Sequence, residues 1–329
     1  MRILILGGTL FLGRHLVTAA VAQGHSVTVF NRGRTETELP PEVMQLRGDR
    51  DHDVTALHVG QYDVAIDTSA YHPKHIEHVA GALNHVGHYI LVSTASVYSQ
   101  FPADEAAPVH PAIWDDTIQP SPTAYGGLKR ACEEAALRNF GNRLTVVRPG
   151  VLAGPYDPTN RFEYWVRRSA RGGQMLVPGD PQRHIQILDA RDLAVWMLHI
   201  AGNAFGVFNA AGPGEALTMG SFIALCIEAA HSNAQPVWIP DNFLLERNVS
   251  PWTDLPLWLP KEAGPVLELD WSRARQAGLH ARRITETIQD VLEGPSSHYA
   301  LAGGLRAATP LEAETERDLL HAWVRDRTA

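Results

Sequence analysis

The opening of the chain constrains its fold more than any other feature. A run of β-prone apolar residues, 2–6, leads into a glycine-containing turn, residues 7–13 (GGTLFLG), and a helical pattern follows directly. This order starts a βαβ unit, in which the N–H groups at the helix N-terminus can bind the pyrophosphate of a dinucleotide. Gly7 permits the tight turn and Gly13 lets the helix pack closely, whereas Leu10 replaces the middle glycine of the usual pattern.

The same alternation of strand and helix continues through the first 150 residues. Further apolar runs, each bounded by Gly, Pro, Asp or Asn, lie at 26–30, 64–67, 89–93 and 144–148. Their continuous hydrophobicity predicts strands that are buried on both faces, as in a parallel sheet covered by helices. We therefore predict an α/β fold with a doubly wound parallel sheet of the Rossmann type and a smaller, discontinuous C-terminal substrate lobe.

Proline and glycine divide the second half of the chain. They crowd the segment after Pro149, around one amphipathic helical pattern at 161–171, and the chain returns to apolar runs at 184–188 and 206–209. We expect both runs to return to the sheet. The predicted division assigns 1–153 and returning segments near 184–212 to the nucleotide-binding domain, 154–183 and 213–300 to the substrate lobe, and 301–329 to a tail with a helix over 310–325.

Composition limits the classes of partner. The 329 residues include 28 basic and 36 acidic side chains, for a formal net charge of −8. Because the chain lacks a basic block, we expect a small-molecule substrate and no nucleic acid. Cys132 and Cys226 lie far apart, so neither a disulfide framework nor a thiolate zinc site is predicted. With no leader and no long apolar stretch, we expect a cytoplasmic protein that does not bind membranes.

Histidines recur around the segment that follows the strand at 64–67. They are His72, His75, His78, His85 and His88. A metal site would require converging ligands with an ordered outer shell. We interpret these residues as surface histidines on a polar helix and expect no metal.

The end of the second strand carries a signal about the cofactor. Sites that prefer NAD usually place Asp or Glu here to accept both ribose hydroxyls, whereas a 2′-phosphate requires loss of that carboxylate and a nearby guanidinium. Asn31, Arg32 and Arg34 fit the second description. We therefore expect NADP and leave NAD open, because a solvated basic turn has the same composition.

A residue pair typical of proton transfer lies between the strands at 89–93 and 144–148. Tyr125 and Lys129 are four residues apart, so on a helix both side chains share one face. A lysine ammonium near a phenol is expected to lower the phenol pKa from about 10 toward neutrality, so that the phenol can move a proton. A hydroxyl in the segment 93–98 can hold the substrate oxygen while Tyr125 exchanges its proton.

These motifs resemble the extended form of the short-chain dehydrogenase/reductase superfamily, the NAD-dependent epimerase/dehydratase family. The resemblance rests on residues 7–13, 93–98, 148–150 and 189–194 and on the Tyr125/Lys129 pair. The GGTLFLG turn followed by NRGR is similar to an atypical branch labelled isoflavone-reductase-like. That branch also includes chloroplast stem-loop RNA-binding proteins.

The resemblance implies a catalytic triad of Thr94, Tyr125 and Lys129, with Lys129 also binding the nicotinamide ribose. Cofactor contacts are implied at Gly7, Thr9, Phe11, Leu12, Gly13, Asp49, Thr68, Ser69, Pro149 and Val151, besides Asn31, Arg32 and Arg34. In this family Asp49 would lie beside the adenine. Homodimers through the helices flanking Tyr125 are common in the superfamily.

The residues after Thr94 limit the reaction class. Sugar-nucleotide 4,6-dehydratases place an Asp-Glu pair there, whereas this chain has Ala95 and Ser96, so we do not expect dehydration by that route. Our first expectation is reduction of a carbonyl or oxidation of a hydroxyl carbon, with Tyr125 as acid or base. An epimerase with recycled cofactor is the nearest alternative, and a non-catalytic RNA-binding or cofactor-sensing protein is a further one. Candidate substrate contacts are Ser96, Trp114, Arg161, Arg183 and Trp252.

Overall fold

A computed structural model describes residues 1–35, 37–261, 268–294 and 307–328. The strands are β1 (Arg2–Leu6), β2 (Ser26–Asn31), β3 (Met44–Arg47), β4 (Val64–Asp67), β5 (His88–Val92), β6 (Leu144–Pro149), β7 (Val151–Ala153), β8 (Gln174–Pro178), β9 (His184–Ile185), β10 (Ile187–Asp189), β11 (Gly206–Ala210), β12 (Leu217–Thr218) and β13 (Gln235–Ile239). The helices are α1 (Phe11–Ala22), α2 (Pro73–Ala80), α3 (Tyr125–Phe140), α4 (Arg161–Ala170), α5 (Ala190–Ile200), α6 (Met219–Ala229), α7 (Asp241–Leu245), α8 (Ser272–Gln276), α9 (Ile284–Glu293) and α10 (Ala313–Thr328). None of the described helices has the length and apolarity needed to cross a bilayer.

The main sheet has seven parallel strands in the order β11-β6-β5-β4-β1-β2-β3. Alternate residues of β1 enter different cores: Ile3 and Ile5 pack on the side of α1 and α5, and Leu4 and Leu6 on the side of α2 and α3. All four side chains are buried. This burial on both faces is the physical reason for the uninterrupted apolar runs, and the predicted α/β fold is confirmed.

Two features of the sheet differ from the sequence prediction. Strand β3 lies at the sheet edge, and its exposed residues Met44, Gln45 and Arg47 give it no continuous apolar run. The predicted return of 184–188 to the sheet is wrong. These residues form β9 and part of β10, which pair with β12 and β7, because β11 already occupies the position beside β6. The run at 206–209 returns as predicted, as β11.

The lobe has its own core. Helices α4, α6 and α9 pack on one another, and β8 pairs with β13. Trp165, Phe222 and Trp258 are among the buried residues of this core. Helix α4 confirms the pattern at 161–171, and α10 begins three residues later than the predicted helix at 310. The domain boundaries stay a prediction, and parts of the predicted lobe and tail, 262–267 and 295–306, lie outside the described residues.

Candidate active site

The glycine turn joins β1 to α1 as the sequence predicts. Gly7 and Gly8 have φ of 112° and 85°, which is the left-handed region that glycine adopts without strain. A Cβ at Gly13 would lie 2.6 Å from the backbone nitrogen of Gly8, so the first turn of the helix packs directly on the glycine turn. Leu10 has an extended backbone with φ of −122°, which is why a glycine is not required there.

The N-terminus of α1 fits an anionic group of a cofactor. Leu10 is the N-cap and provides no side-chain hydrogen bond to the first turn. The N–H groups of Phe11, Leu12 and Gly13 therefore have no side-chain acceptor at the cap, and the helix dipole adds positive potential. This geometry suits the pyrophosphate of a dinucleotide.

The end of β4 supports the turn from the side. The hydroxyls of Thr68 and Ser69 donate to the Leu6 carbonyl at 3.0 and 3.2 Å. A Cβ at Gly7 would lie 2.4 Å from Thr68 Oγ1, so these residues and the turn are in contact. Their direct contact with a cofactor stays a prediction, as do those of Pro149, which ends β6, and Val151, which begins β7.

The basic turn lies at the carboxyl end of β2. Arg32 and Arg34 are exposed, and Arg34 is 4.0 Å from a carboxylate oxygen of Asp49. Asn31 accepts a hydrogen bond from the Gly33 N–H at 2.9 Å. The turn thus places two guanidinium groups and one carboxylate near the position expected for the adenosine ribose.

The catalytic residues predicted from the sequence come together at the carboxyl end of β5. Thr94 caps a short 3-10 turn, Ala95–Val97, by accepting from the Ser96 N–H at 3.1 Å. Helix α3 begins at Tyr125, and a Cβ at Gly126 would lie 2.0 Å from the Ser96 carbonyl oxygen. This close approach brings Thr94 and Ser96 beside Tyr125, and Lys129 follows one helical turn later.

Burial controls the charge state of Tyr125 and Lys129. The Lys129 ammonium is buried and donates to the carbonyls of Ala70 at 2.9 Å and Val92 at 2.7 Å. Burial lowers the pKa of Lys129. Burial also raises the pKa of the Tyr125 phenol, although a hydrogen bond from Thr94 and the charge of Arg161 lower it in part. The expected lowering of the Tyr125 pKa by Lys129 is therefore wrong, because the ammonium is directed to backbone carbonyls and burial of the phenol dominates.

A buried polar network holds the strands and the catalytic helix together. Glu133 on α3 bonds Arg148 on β6 at 2.6 Å and accepts from Ser93 at 2.6 Å. Arg148 also donates to the Tyr98 hydroxyl at 2.9 Å, which donates in turn to Asn209 on β11 at 2.7 Å. This network thus joins α3, β6, β11 and the segment after β5, which carry or adjoin the candidate site.

Two of the candidate substrate residues, Arg161 and Trp252, lie against each other in the lobe, and Arg161 is near Tyr125. The Arg161 guanidinium carbon lies 5.2 Å from the centre of the Trp252 ring, and Arg161 interacts electrostatically with Tyr125 and Asp157. Asp157 is 2% exposed, and burial raises its pKa to about 6. The sequence analysis missed Asp157, although its place in a Gly/Pro-rich loop after β7 was a usable signal.

Two further candidate substrate residues, Trp114 and Arg183, lie in different surroundings. Trp114 is 39% exposed and lies on the outer side of α3, where its ring nitrogen donates to Glu134 at 3.3 Å and Arg138 stacks on it at 4.0 Å. Its role in substrate binding stays a prediction, and these contacts join it to α3. Arg183 donates to the Leu259 carbonyl within the lobe, and its role in substrate binding stays a prediction.

The sequence analysis also missed Tyr71 as a residue of the candidate site. Its ring centre lies 5.9 Å from Lys129 Nζ, and it interacts electrostatically with Tyr125. Burial raises the pKa of its phenol. The polar residues that directly follow β4 were the available signal, because side chains at the carboxyl ends of parallel strands share one edge of the sheet.

Several histidines are buried, so their interpretation as surface residues is wrong. His72, His75 and His88 are 8%, 7% and 1% exposed. His75 accepts from the Tyr71 N–H at 3.2 Å and lies 3.2 Å from Asp51, and burial lowers its pKa to about 4. His88 bonds Thr145 at 2.8 Å. Hydrogen bonds thus hold the rings of His75 and His88, and the described residues contain no group of His, Cys, Asp and Glu that could hold a metal ion.

Comparison with known proteins adds a family match and a set of similar folds. Residues 66–211 match the model of the NAD dependent epimerase/dehydratase family. The chloroplast stem-loop binding protein of 41 kDa b from Arabidopsis thaliana is 29% identical over 230 residues, which is 64% of this chain and 58% of that protein. The matched region thus spans little more than half of that relative.

The solved structures that are similar share the fold at low sequence identity. UDP-glucose 4-epimerase from Thermotoga maritima is 20% identical with a TM-score of 0.66, covering 89% of this chain and 98% of its own. The Bordetella bronchiseptica enzyme WbmH, solved with NAD⁺, is 18% identical with a TM-score of 0.67, covering 88% and 97%. Residues 66–211 are thus similar to the NAD dependent epimerase/dehydratase family, and the chain shares the fold of the similar solved structures.

Proposed function

We propose that the protein is an NAD(P)-dependent enzyme that epimerises a hydroxyl-bearing carbon of a small molecule by transient oxidation, with Tyr125 as acid and base. The observation that carries the proposal is the meeting of Thr94, Tyr125 and Lys129 at one sheet edge. The glycine turn of Gly7 and Gly13 ends at the same edge.

Each member of the site has a chemical task. The Tyr125 oxygen takes the proton of the substrate hydroxyl and returns it, while Thr94 orients the substrate oxygen. Two of the three Lys129 N–H bonds are directed to Ala70 and Val92, and the third is left for a ribose hydroxyl of the cofactor. A bound nicotinamide would supply reversible hydride acceptance, the chemistry that the side chains lack.

The charge of Arg161 matters for the oxidative half of the cycle. A buried phenol holds its proton, so forming the phenolate requires positive charge nearby. Arg161 reaches Tyr125 from the lobe and lies against Trp252. Arginine is also suited to bind phosphate, so the same group supports a nucleotide-sugar substrate.

Epimerisation is favoured over net reduction because the similar enzymes named above include a UDP-glucose 4-epimerase. A panel of UDP-hexoses with added NAD or NADP separates the two. An epimerase interconverts epimers with no net change in the absorbance of reduced nicotinamide. A stoichiometric absorbance change would show net oxidation or reduction instead.

Tyr125→Phe tests the role of the phenol. We expect the variant to bind nucleotide as the wild type does and to lose turnover by about 10²–10⁴-fold. Lys129→Met should impair both properties, since its N–H is assigned to the ribose. Full activity of Tyr125→Phe would exclude this mechanism.

NADP is the proposed cofactor in preference to NAD. The support is the pair of exposed guanidinium groups, Arg32 and Arg34, beside Asn31. Thermal-shift measurements with both nucleotides test the preference. Stabilisation by NAD alone would contradict it.

Binding of stem-loop RNA is a second candidate, favoured by the name of the Arabidopsis relative. The net charge of −8 argues against it, because backbone binding draws on positive charge. Gel-shift titrations with a stem-loop RNA across salt concentrations decide the question. Specific affinity at moderate salt would make RNA binding the leading function.

A further inference from the structure

The side-chain amide of Asn31 has a fixed orientation. Its oxygen accepts from the Gly33 N–H at 2.9 Å and from the Arg47 guanidinium. Because both partners are donors, the oxygen must face them and the amide nitrogen must face the opposite way. That nitrogen, Nδ2, is buried and has no hydrogen-bond partner among the described residues. An unpaired buried donor points to an acceptor supplied by a ligand.

Arg47 is held beside Asn31 by the edge strand. The two residues are paired in the register of β2 and β3. The second guanidinium nitrogen of Arg47 donates to Gln45 at 2.8 Å. A Cβ at Gly33 would lie 2.6 Å from Arg47 Nη1, so the guanidinium occupies the space that a side chain at Gly33 would take.

A hydrogen bond connects the segment that follows the basic turn to the glycine turn. The Thr37 hydroxyl donates to the Thr9 carbonyl at 2.8 Å. This bond connects the segment after β2 to the loop that precedes α1. The turn that carries Arg32 and Arg34 therefore lies next to the proposed pyrophosphate site, and Arg47 bonds Asn31 at the start of this turn.

We propose that Arg47 is a specificity-determining residue that directs the site toward nucleotides with a 2′-phosphate. It does so by fixing Asn31 as a donor and by adding a third positive charge beside Arg32 and Arg34. Phosphate oxygens only accept hydrogen bonds, so they match a fixed donor better than a ribose hydroxyl does. The inference rests on the nucleotide site of the proposed function and names its specificity.

The Asp49 carboxylate makes this third charge important. It lies 4.0 Å from Arg34 and offsets the positive charge of that guanidinium. Arg47 bonds neutral amides instead, so its charge is not offset by these partners. Removal of Arg47 should therefore affect a dianionic 2′-phosphate strongly and a ribose hydroxyl weakly.

Isothermal titration of the full chain with NADP⁺ and NAD⁺ tests the proposal. Arg47→Gln should lower the ratio of NADP⁺ to NAD⁺ affinity by about tenfold and change NAD⁺ affinity by less than about twofold. Arg2→Gln is the matched control, because Arg2 is an exposed arginine at the amino end of β1, and its ratio should equal that of the wild type. Asn31→Asp, which replaces the donor by an acceptor, should lower the same ratio further.

Two results would overturn the inference: an unchanged ratio in Arg47→Gln, or an equal loss of affinity for both nucleotides, which indicates a structural role. These are distinguishable from failure of the proposed function. A wild-type chain that binds neither nucleotide refutes the function itself. If the wild type binds nucleotide and Arg47→Gln has the same ratio of NADP⁺ to NAD⁺ affinity, only the inference is refuted.

Discussion

The sheet half and the lobe both contain a buried ion pair, but each pair connects different elements of the structure. In the sheet half, Glu133 on α3 bonds Arg148 on β6, with both side chains under 5% exposed. In the lobe, Arg168 on α4 bonds Glu316 on α10 at 2.8 Å, across 148 residues of sequence. Glu316 also accepts from the Leu176 N–H at 2.9 Å. The first pair joins α3 to the sheet beside the candidate site, and the second attaches the C-terminal helix to the lobe.

Breaking the two pairs separately tests this difference and has the largest expected effect. Glu133→Gln and Glu316→Gln each leave a buried arginine without its carboxylate, so each should lower the free energy of unfolding by about 3–5 kcal/mol. Urea denaturation followed by tryptophan fluorescence measures the loss. Nucleotide affinity, measured on the folded protein, should fall only for Glu133→Gln. Equal affinities in both variants would remove the proposed distinction.

Asp157 allows a test within the lobe. Its pKa is raised to about 6 from 3.8, so the folded state favours the protonated form, and stability falls as pH rises from about 4 to about 6. Asp157→Asn keeps the acceptor for Thr159 and removes the charge. We expect it to gain up to about 3 kcal/mol of stability at pH 8 and nothing below pH 4, because the raised pKa already contains the opposing charge of Arg161. Denaturation curves at both pH values measure it, and a gain at pH 4 would contradict the cause.

Gly13→Ala tests the sheet half without altering any charge. The added methyl would lie 2.6 Å from the Gly8 nitrogen, so either the glycine turn or the helix must move. We expect a loss of about 1–3 kcal/mol in stability and a clear drop in nucleotide affinity. Gly24→Ala is a control for glycine loss in the same unit, since a Cβ there meets no atom within 4 Å although its φ of 75° costs strain. Gly24→Ala should therefore lose stability and retain affinity.

Trp114→Ala should have the smallest effect. The ring contacts Glu134 and Arg138 on the outer side of α3 and is 39% exposed. Loss of this contact should cost about 0.5–1 kcal/mol. Turnover and nucleotide affinity should not change. A selective loss of turnover would instead support the predicted substrate contact of Trp114.

The predictable parts of the fold are those with local sequence signals. Residues 2–6 predict a strand because burial on both faces requires an uninterrupted apolar run. Residues 7–13 predict a turn because positive φ favours glycine. The edge strand β3 has no such pattern, because its side chains are exposed. For the same reason Arg47 was not predicted: it approaches Asn31 only through pairing of β2 and β3.

The sequence by itself determined the α/β fold, the glycine turn and the spacing of Tyr125 and Lys129 on one helical face. Only the tertiary structure decided which charges act on them. Lys129 binds backbone carbonyls from β5 and from the segment after β4, and Arg161 reaches Tyr125 from the lobe. A pKa depends on burial and on charges a few ångströms away, and these neighbours come from parts of the chain that are distant in sequence.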